Sequence, residues 1–258
     1  MKSIVALLAL SASAHSSVIL VDFNNNASGA IPGGTWNTYG TTAEVNGSTL
    51  DDEGNSSTAV TLSYTGTMSK NTSNFNTLVY QPTNNGGNNP AWAYSTGNNG
   101  VAGDNFFTST DAVANAFTLD FSNIAAGSTV SIDLLASRNS GNARGFFDYS
   151  LDGGSTWQGF TVVDYLGNAV TSGGWDSNTT ATQVFNLQSH GYTNHYYLNA
   201  TGTLSGSQLL IRTTDATSDS GVFSAMNGLR LTIVPEPSTA GLLALALGSL
   251  ARRRRRVS

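Results

Sequence analysis

Short runs rich in Val, Ile, Leu, Thr, Phe and Tyr recur along the chain, separated by clusters of Gly, Asn, Asp and Ser. Residues 129–134 and 229–233 alternate between apolar and polar side chains, which is the pattern of strands with one buried face. Only 10% of the residues are charged. The helix formers Glu, Lys and Arg are therefore scarce, and no amphipathic helix longer than two turns is evident. The pattern predicts an all-β protein.

Nine strands are predicted, and the Asn- and Gly-rich stretches between them are predicted to be loops. Many short strands joined by such loops favour a two-sheet antiparallel sandwich over residues 15–233, with a jelly roll as the favoured arrangement. The predicted strands are residues 18–23, 58–65, 115–121, 128–136, 145–151, 159–164, 195–200, 208–213 and 228–234.

The charge of this central region excludes nucleic acid as a partner. Residues 15–234 hold 5 basic and 15 acidic side chains, which gives a formal charge of −10. Binding to DNA or RNA depends on neutralising phosphates with Lys and Arg. The chain has no cysteine, so disulfides, thiolate metal sites and Cys nucleophiles are also excluded.

The first 14 residues have the three parts of a secretory signal peptide. Lys2 supplies the positive charge, Ile4 to Leu10 form a short apolar run, and Ala12 and Ala14 form an Ala-x-Ala cleavage site. A buried first helix is the alternative to this signal peptide. The apolar run is too short to span a bilayer.

The last 25 residues, 234–258, combine three features in a fixed order. Pro235, Glu236 and Pro237 form a stiff break that no helix or central strand continues through. Residues 239–251 are uncharged and rich in Ala and Leu, which predicts a short transmembrane helix. An arginine cluster follows and is predicted to stop translocation on the cytoplasmic side; its members are Arg252, Arg253, Arg254, Arg255 and Arg256.

This arrangement resembles the PEP-CTERM sorting signal of bacteria that use exosortases. The resemblance implies a protein that is exported, held in the membrane as a precursor and processed near Pro235–Pro237 by an exosortase. It also implies a final location at the cell surface or in extracellular matrix, in association with biofilm polymer. The body is similar to galactose-binding-like jelly rolls in its opening Val-Asp-Phe strand, residues 21–23, and its closing strand, residues 227–232.

Residues 150–157 match the Asp-box pattern Ser-x-Asp-x-Gly-x-Thr-Trp. The pattern predicts a hairpin turn in which Asp152 accepts hydrogen bonds from turn amides, glycine adopts a positive φ and Trp157 packs under the loop. Sialidases carry several copies of this box, whereas this chain has one. A structural hairpin is therefore favoured over a sialidase.

No catalytic residue is predicted. The chain has no Gly-x-Ser-x-Gly nucleophile motif. The spacing of His190 and His195 suits neither a strand nor a helix for shared metal binding. A non-catalytic structural or polysaccharide-binding protein is the first hypothesis, and a secreted glycan-active hydrolase is the alternative.

No cofactor is predicted, although acidic loops leave a structural calcium ion as an alternative to solvated turns. Closely spaced carboxylates are the hard oxygen ligands that calcium prefers. The two candidate loops contain Asp51, Asp52 and Glu53, and Asp215 and Asp219.

Three aromatic residues in Gly- and Asn-rich sequence are predicted to bind carbohydrate, namely Trp92, Tyr94 and Trp175. Aromatic rings stack on the C–H faces of sugars, and polar neighbours bind the hydroxyls. The alternative for each ring is that it caps the sandwich core. Phe121 and Phe147, which lie within apolar strands, are predicted to belong to the core.

Overall fold

The computed structural model describes residues 16–23, 35–39, 45–66, 69–70, 106–107, 117–138, 143–177, 183–194, 196–214 and 224–236. These residues are mostly β-strand, as predicted. The strands are β1 Ser17–Phe23, β2 Trp36–Tyr39, β3 Ser48–Asp51, β4 Ser57–Thr65, β5 Ser69–Lys70, β6 Phe106–Phe107, β7 Phe117–Ser122, β8 Thr129–Leu135, β9 Arg144–Ser150, β10 Gln158–Gly159, β11 Thr161–Val163, β12 Asp176–Ser177, β13 Gln183–Asn186, β14 Tyr197–Thr203, β15 Gln208–Thr214, β16 Ala225–Met226 and β17 Gly228–Val234.

Two large sheets form a sandwich, which confirms the predicted fold class. The first has the order β11-β14-β8-β17-β1-β2, the second β12-β13-β9-β15-β7-β4-β3, with β10 paired to β9. From β7 to β9, and from β13 to β17, the long strands alternate between the two sheets, as they do in jelly rolls. One pair departs from the antiparallel prediction, because β1 and β2 run parallel. A small third sheet has the order β16-β6-β5.

The core lies between the inner faces of the two large sheets. Alternate residues of β7 and β8 point inward, and Phe121 and Phe147 are 0% and 1% exposed, so both are core residues as predicted. Phe23, Phe117 and Phe185 complete a set of phenylalanines that are fully buried. Burying one such ring stabilises the fold by about 1.5–3 kcal/mol.

The side chain of Asn37 joins the edges of the two sheets. Its amide nitrogen donates to the carbonyl oxygens of Leu20 (3.0 Å) and Asp51 (2.8 Å), and its oxygen accepts the Asp51 amide (2.8 Å). β2 and β3 are edge strands in their respective sheets. The two bonds to Asp51 satisfy backbone groups of β3 that an open edge exposes to other chains.

The first and last strands of the sandwich place the two chain termini of the body at one end. β1 pairs antiparallel with β17, and Ser17 lies opposite Ile233. The residues that follow the predicted signal peptide and those that precede the predicted sorting motif are therefore neighbours in space.

Candidate functional site: a polar groove and the sorting motif

The hairpin between β9 and β10 has the geometry that the Asp-box pattern predicts. Asp152 Oδ1 accepts from the Ser150 hydroxyl (2.7 Å) and the Thr156 amide (2.8 Å), and Oδ2 accepts from the Thr156 hydroxyl (2.6 Å). Gly153 and Gly154 have φ values of +69° and +92°. Glycine suits these positions because it lacks a Cβ that would oppose positive φ. The predicted structural hairpin is confirmed.

The same hydrogen bonds determine the charge of Asp152. Bonds from the side chain and backbone of Thr156, and then from Ser150, lower the pKa of Asp152 to about 2. A carboxylate that accepts several hydrogen bonds is stabilised in its ionised form. Asp152 is therefore an acceptor at any pH near neutrality and has no proton to donate.

An open groove of about 230 Å³ lies beside this hairpin and the last residues of β14. Gln158 accepts from the hydroxyl of Tyr149 (3.2 Å), so its side chain is held at one wall. At another wall, the Ser205 hydroxyl donates to the Leu151 carbonyl (3.3 Å). The groove combines one anion, one amide and several hydroxyls with a single apolar residue; its lining is Leu151, Asp152, Thr156, Gln158, Thr203 and Ser205.

Trp157 anchors the hairpin to the sheet from the side of β15. The Arg212 guanidinium lies 4.0 Å from the centre of the indole ring, and its Nε and Nη2 donate to Asp148 Oδ2 (3.2 and 2.8 Å). A Cβ added to Gly154 would lie 3.8 Å from the ring, so Trp157 packs against the loop as predicted. Cation–π stacking at a partly exposed site contributes about 0.5–1 kcal/mol. This contact holds the groove wall in place.

A buried histidine, His190, lies beside the second sheet with Asn186 and Asp176 as its polar partners, and sequence reasoning did not identify this group. We call these three residues the histidine cluster. A π-helical turn, Leu187–Thr193, follows β13 and places His190 in the core with 4% exposure. Its Nδ1 accepts the Asn186 amide (2.9 Å), and its Nε2 lies 3.4 Å from Asp176 Oδ1. The ring is therefore neutral with its proton on Nε2. With both nitrogens engaged, His190 has no free base for catalysis in this conformation.

The stability of the protein is expected to fall as the pH drops below the ordinary pKa of histidine. Burial lowers the pKa of His190, and the Asp176 charge and hydrogen bond oppose this only in part. Below about pH 6.5 the unfolded chain binds a proton that the folded chain resists, so stability rises with pH in that window and is fully present above it. The slope is at most about 1.4 kcal/mol per pH unit for one proton. Thermal melting of the native chain and of His190→Gln between pH 5 and 7.5 measures the effect.

The variant is expected to have a flatter profile between pH 5 and 7.5 than the native chain. His195→Gln, which removes a histidine five positions away, serves as the control and is expected to keep the native profile. Parallel profiles for the native chain and His190→Gln would contradict this assignment.

Trp175 lies in the same region and is the one predicted carbohydrate-binding residue within the described residues. It is partly buried, and its ring meets Phe185 edge-to-face at 5.8 Å between centroids. This contact is the packing expected of a ring that caps the core, and a binding role for Trp175 stays a prediction. Trp92 and Tyr94 lie outside the described residues.

The acidic loop at residues 51–53 is organised as a turn around Asp52. Its Oδ1 accepts the amides of Gly54 (3.0 Å) and Ser56 (2.9 Å). In the described ranges, no group of three or more His, Asp or Glu side chains is arranged to hold a metal ion. Asp215 and Asp219 lie outside those ranges. A calcium site stays an untested alternative.

The predicted sorting segment begins directly after β17. Val234 is the last residue of this strand, and Pro235 and Glu236 follow it on the surface of the sandwich. No helix in the described part of the chain is long and apolar enough to cross a membrane. Several predicted positions fall outside that part: the signal-cleavage residues Ala12 and Ala14, Pro237, the apolar residues 239–251, and Arg252–Arg256.

Comparison with family models decides the nature of this segment. Residues 234–256 match the model of the PEP-CTERM protein-sorting motif. The chain carries a PEP-CTERM sorting signal. The PEP-CTERM signal implies an exported protein that an exosortase processes at the membrane. No curated protein matches the chain.

Solved structures with some likeness to this PEP-CTERM chain are distant. A plant receptor-like kinase, FER, matches at 13% identity and a TM-score of 0.38; the match covers 85% of this chain, which spans 42% of that structure. The enzymatically active domain of a bacteriophage tailspike protein matches at 14% identity and a TM-score of 0.29. This match covers 66% of this chain and 19% of that structure. A family 35 carbohydrate-binding module from Clostridium thermocellum matches at 14% identity and a TM-score of 0.24. This match covers 45% of this chain and 69% of that structure.

Proposed function

We propose that the chain is an exported, non-catalytic β-sandwich that associates with extracellular polysaccharide at the cell surface or in the matrix, after exosortase processing. The observation that carries the binding role is the polar groove beside Asp152. The PEP-CTERM signal supports the export that this role requires.

The groove supplies the hydrogen bonds that a sugar requires. Sugar hydroxyls both donate and accept, and Asp152 accepts while the amide nitrogen of Gln158 donates. Within the described residues that nitrogen makes no hydrogen bond, so it is free for a ligand. The Thr203 hydroxyl can donate or accept, and the Ser205 hydroxyl, whose proton is directed to the Leu151 carbonyl, can accept. The volume of about 230 Å³ is below the usual 300–1,000 Å³ of ligand pockets, which suits one sugar unit of a longer chain.

The charge arrangement in the groove favours binding over hydrolysis. Glycosidic bond cleavage uses two carboxyl groups on either side of the bond, and one of them has to be protonated. In the described lining of the groove Asp152 is the one carboxylate, and hydrogen bonds lower its pKa to about 2. It stays ionised and acts as a hydrogen-bond acceptor.

Blocking the groove is expected to weaken retention on polysaccharide without changing the fold. Thr203→Arg places a long side chain at the groove wall, on an exposed residue at the end of β14. Retention on extracellular polysaccharide from the producing organism is expected to fall by about tenfold or more, which corresponds to about 1.4 kcal/mol. The protein used is the processed form recovered from the extracellular fraction, and retention is measured by affinity electrophoresis.

A matched control is available two residues away. Thr201 is exposed on the same strand and the same face, outside the groove, so Thr201→Arg is expected to retain the polysaccharide like the native chain. Trp92→Ala and Trp175→Ala test the aromatic sites in the same assay. If the tryptophan variants lose retention at an unchanged melting temperature while Thr203→Arg keeps it, the aromatic rings and not the groove bind the polysaccharide. Release of reducing ends from the polysaccharide would instead support the glycan-active hydrolase.

A further inference from the structure

The sorting motif is joined to a central strand of the sandwich without a linker. β17 lies between β8 and β1, and its pairing continues to the residue before Pro235: Ile233 pairs with Ser17 on one side, and Val234 pairs with Thr129 on the other. Ile233 is 6% exposed and belongs to the core. The body therefore holds the chain in a fixed extended conformation up to the first residue of the motif.

The middle residue of the motif also contacts the body. A Cβ added to Gly127 would lie 2.8 Å from Cδ of Glu236 and 3.0 and 3.2 Å from its two carboxylate oxygens. The Glu236 side chain thus occupies the space that any side chain at position 127 would need. Gly127 has a φ of +81° and donates its amide to the Leu204 carbonyl (2.9 Å). We call Gly127 and this space the glycine seat.

An enzyme that recognises Pro-Glu-Pro has to surround Glu236 and bind backbone on either side of it. Three extended residues span at most about 10 Å, so such an enzyme has to approach within that distance of Gly127 and of the paired end of β17. One side of Glu236 is already covered by the body, and Val234 is already paired. Substrate binding and the folded position of the motif are therefore in competition.

We propose that the folded body restrains its own sorting motif, and that Glu236 has to leave the glycine seat before the exosortase processes the chain. The competent fraction of the precursor is the fraction with an undocked motif. The apparent affinity of an enzyme for a partly competent substrate falls in proportion to that fraction. Gly127 is thus a positioning residue that acts through Glu236. The inference rests on the PEP-CTERM signal and not on the binding of polysaccharide.

Displacing Glu236 from the seat is expected to accelerate processing. Gly127→Ala introduces a methyl group that forces the carboxylate away. The contact itself costs little because the carboxylate is the far end of a flexible side chain, and the remaining cost is the strain of alanine at a φ of +81°. Gly47→Ala is the matched control, because Gly47 has a similar φ of +74° with no atom within 4 Å of its added Cβ. Both variants place alanine at a similar positive φ, and only the first moves Glu236. The experiment is a pulse-chase of the full chain in the producing organism, with the precursor and the processed form separated by mass.

We expect Gly127→Ala to be processed at least about threefold faster than the native chain, and Gly47→Ala to be processed at the native rate. A second variant inserts Gly-Ser-Gly-Ser-Gly between Val234 and Pro235, which moves the motif up to about 17 Å from the sheet. It leaves every residue of the body unchanged and is also expected to be processed faster. The proposal is overturned if Gly127→Ala and Gly47→Ala have equal rates, or if the insertion leaves processing unchanged or slower. A native chain with an intact Ser258 terminus in the extracellular pool would overturn the sorting assignment as well.

Discussion

Replacing Gly191 by alanine is expected to lower the free energy of unfolding by about 3 kcal/mol. Gly191 lies in the π-helical turn that packs against the end of β8. An added Cβ would overlap the carbonyl oxygen of Ala136 and lie 3.0 Å from Cα of Ser137. These are main-chain atoms of a buried segment and cannot move aside as a flexible side chain would. Urea denaturation of the native chain and the variant measures the loss.

Gly206→Ala provides the comparison, because no atom lies within 4 Å of its added Cβ and its φ is not positive. We expect this variant to stay within about 0.5 kcal/mol of the native chain. The π-helical turn also carries His190, so Gly191→Ala should disturb the histidine cluster too. An unfolding free energy for Gly191→Ala equal to that of Gly206→Ala would show that the turn does not pack against β8 as described.

Removing Arg230 is expected to cost up to about 3 kcal/mol, because it leaves a buried carboxylate without its cation; the cost lies at the low end for a broken buried pair since the Arg230 side chain is 36% exposed. Asp133 is 4% exposed on the outer face of the first sheet. Its Oδ2 accepts from the Arg230 guanidinium (2.8 Å from Nε), and its Oδ1 accepts from the Asn199 amide (2.7 Å). Arg230→Met keeps most of the apolar stem of the side chain and removes the charge. Thermal and urea unfolding of the variant measure the cost.

The double variant Asp133→Asn with Arg230→Met separates the loss of the ion pair from the penalty of a lone buried charge. The asparagine is neutral and still accepts from Asn199, so more than half of the lost stability is expected to return. If the double variant is as unstable as Arg230→Met alone, the destabilisation comes from lost packing of the arginine stem rather than from the unpaired carboxylate.

Strand prediction succeeded where a run of residues carries its own periodic signal. All nine predicted strands have counterparts in the described residues, and most boundaries agree within about two residues. The strands that sequence reasoning missed are short, such as β2, β3 and β13, and they lie at or near sheet edges. An edge strand has one neighbour and less buried surface, so its side chains follow the alternating pattern less strictly.

The Asp-box hairpin was predictable because all its contacts lie within eight consecutive residues. The groove beside it was not, because two of its walls come from Thr203 and Ser205, about fifty residues further along the chain. His190 was overlooked for a related reason. Pairing of β12 with β13 brings Asp176 near Asn186, and a π-helical turn brings His190 to both. The spacing of that turn belongs neither to a strand nor to an α-helix.

The amino-acid sequence alone determined the fold class and the sorting signal. Both rest on a local property: side-chain alternation for the fold class, and an ordered set of residues at 234–256 for the signal. The tertiary structure decided which distant residues meet. Pairing of β17 with β8 brings Arg230 to Asp133, and the turn before β8 brings Gly127 to Glu236, more than one hundred residues away. Such contacts depend on strand register and on the space left by neighbouring side chains, and no local pattern encodes either.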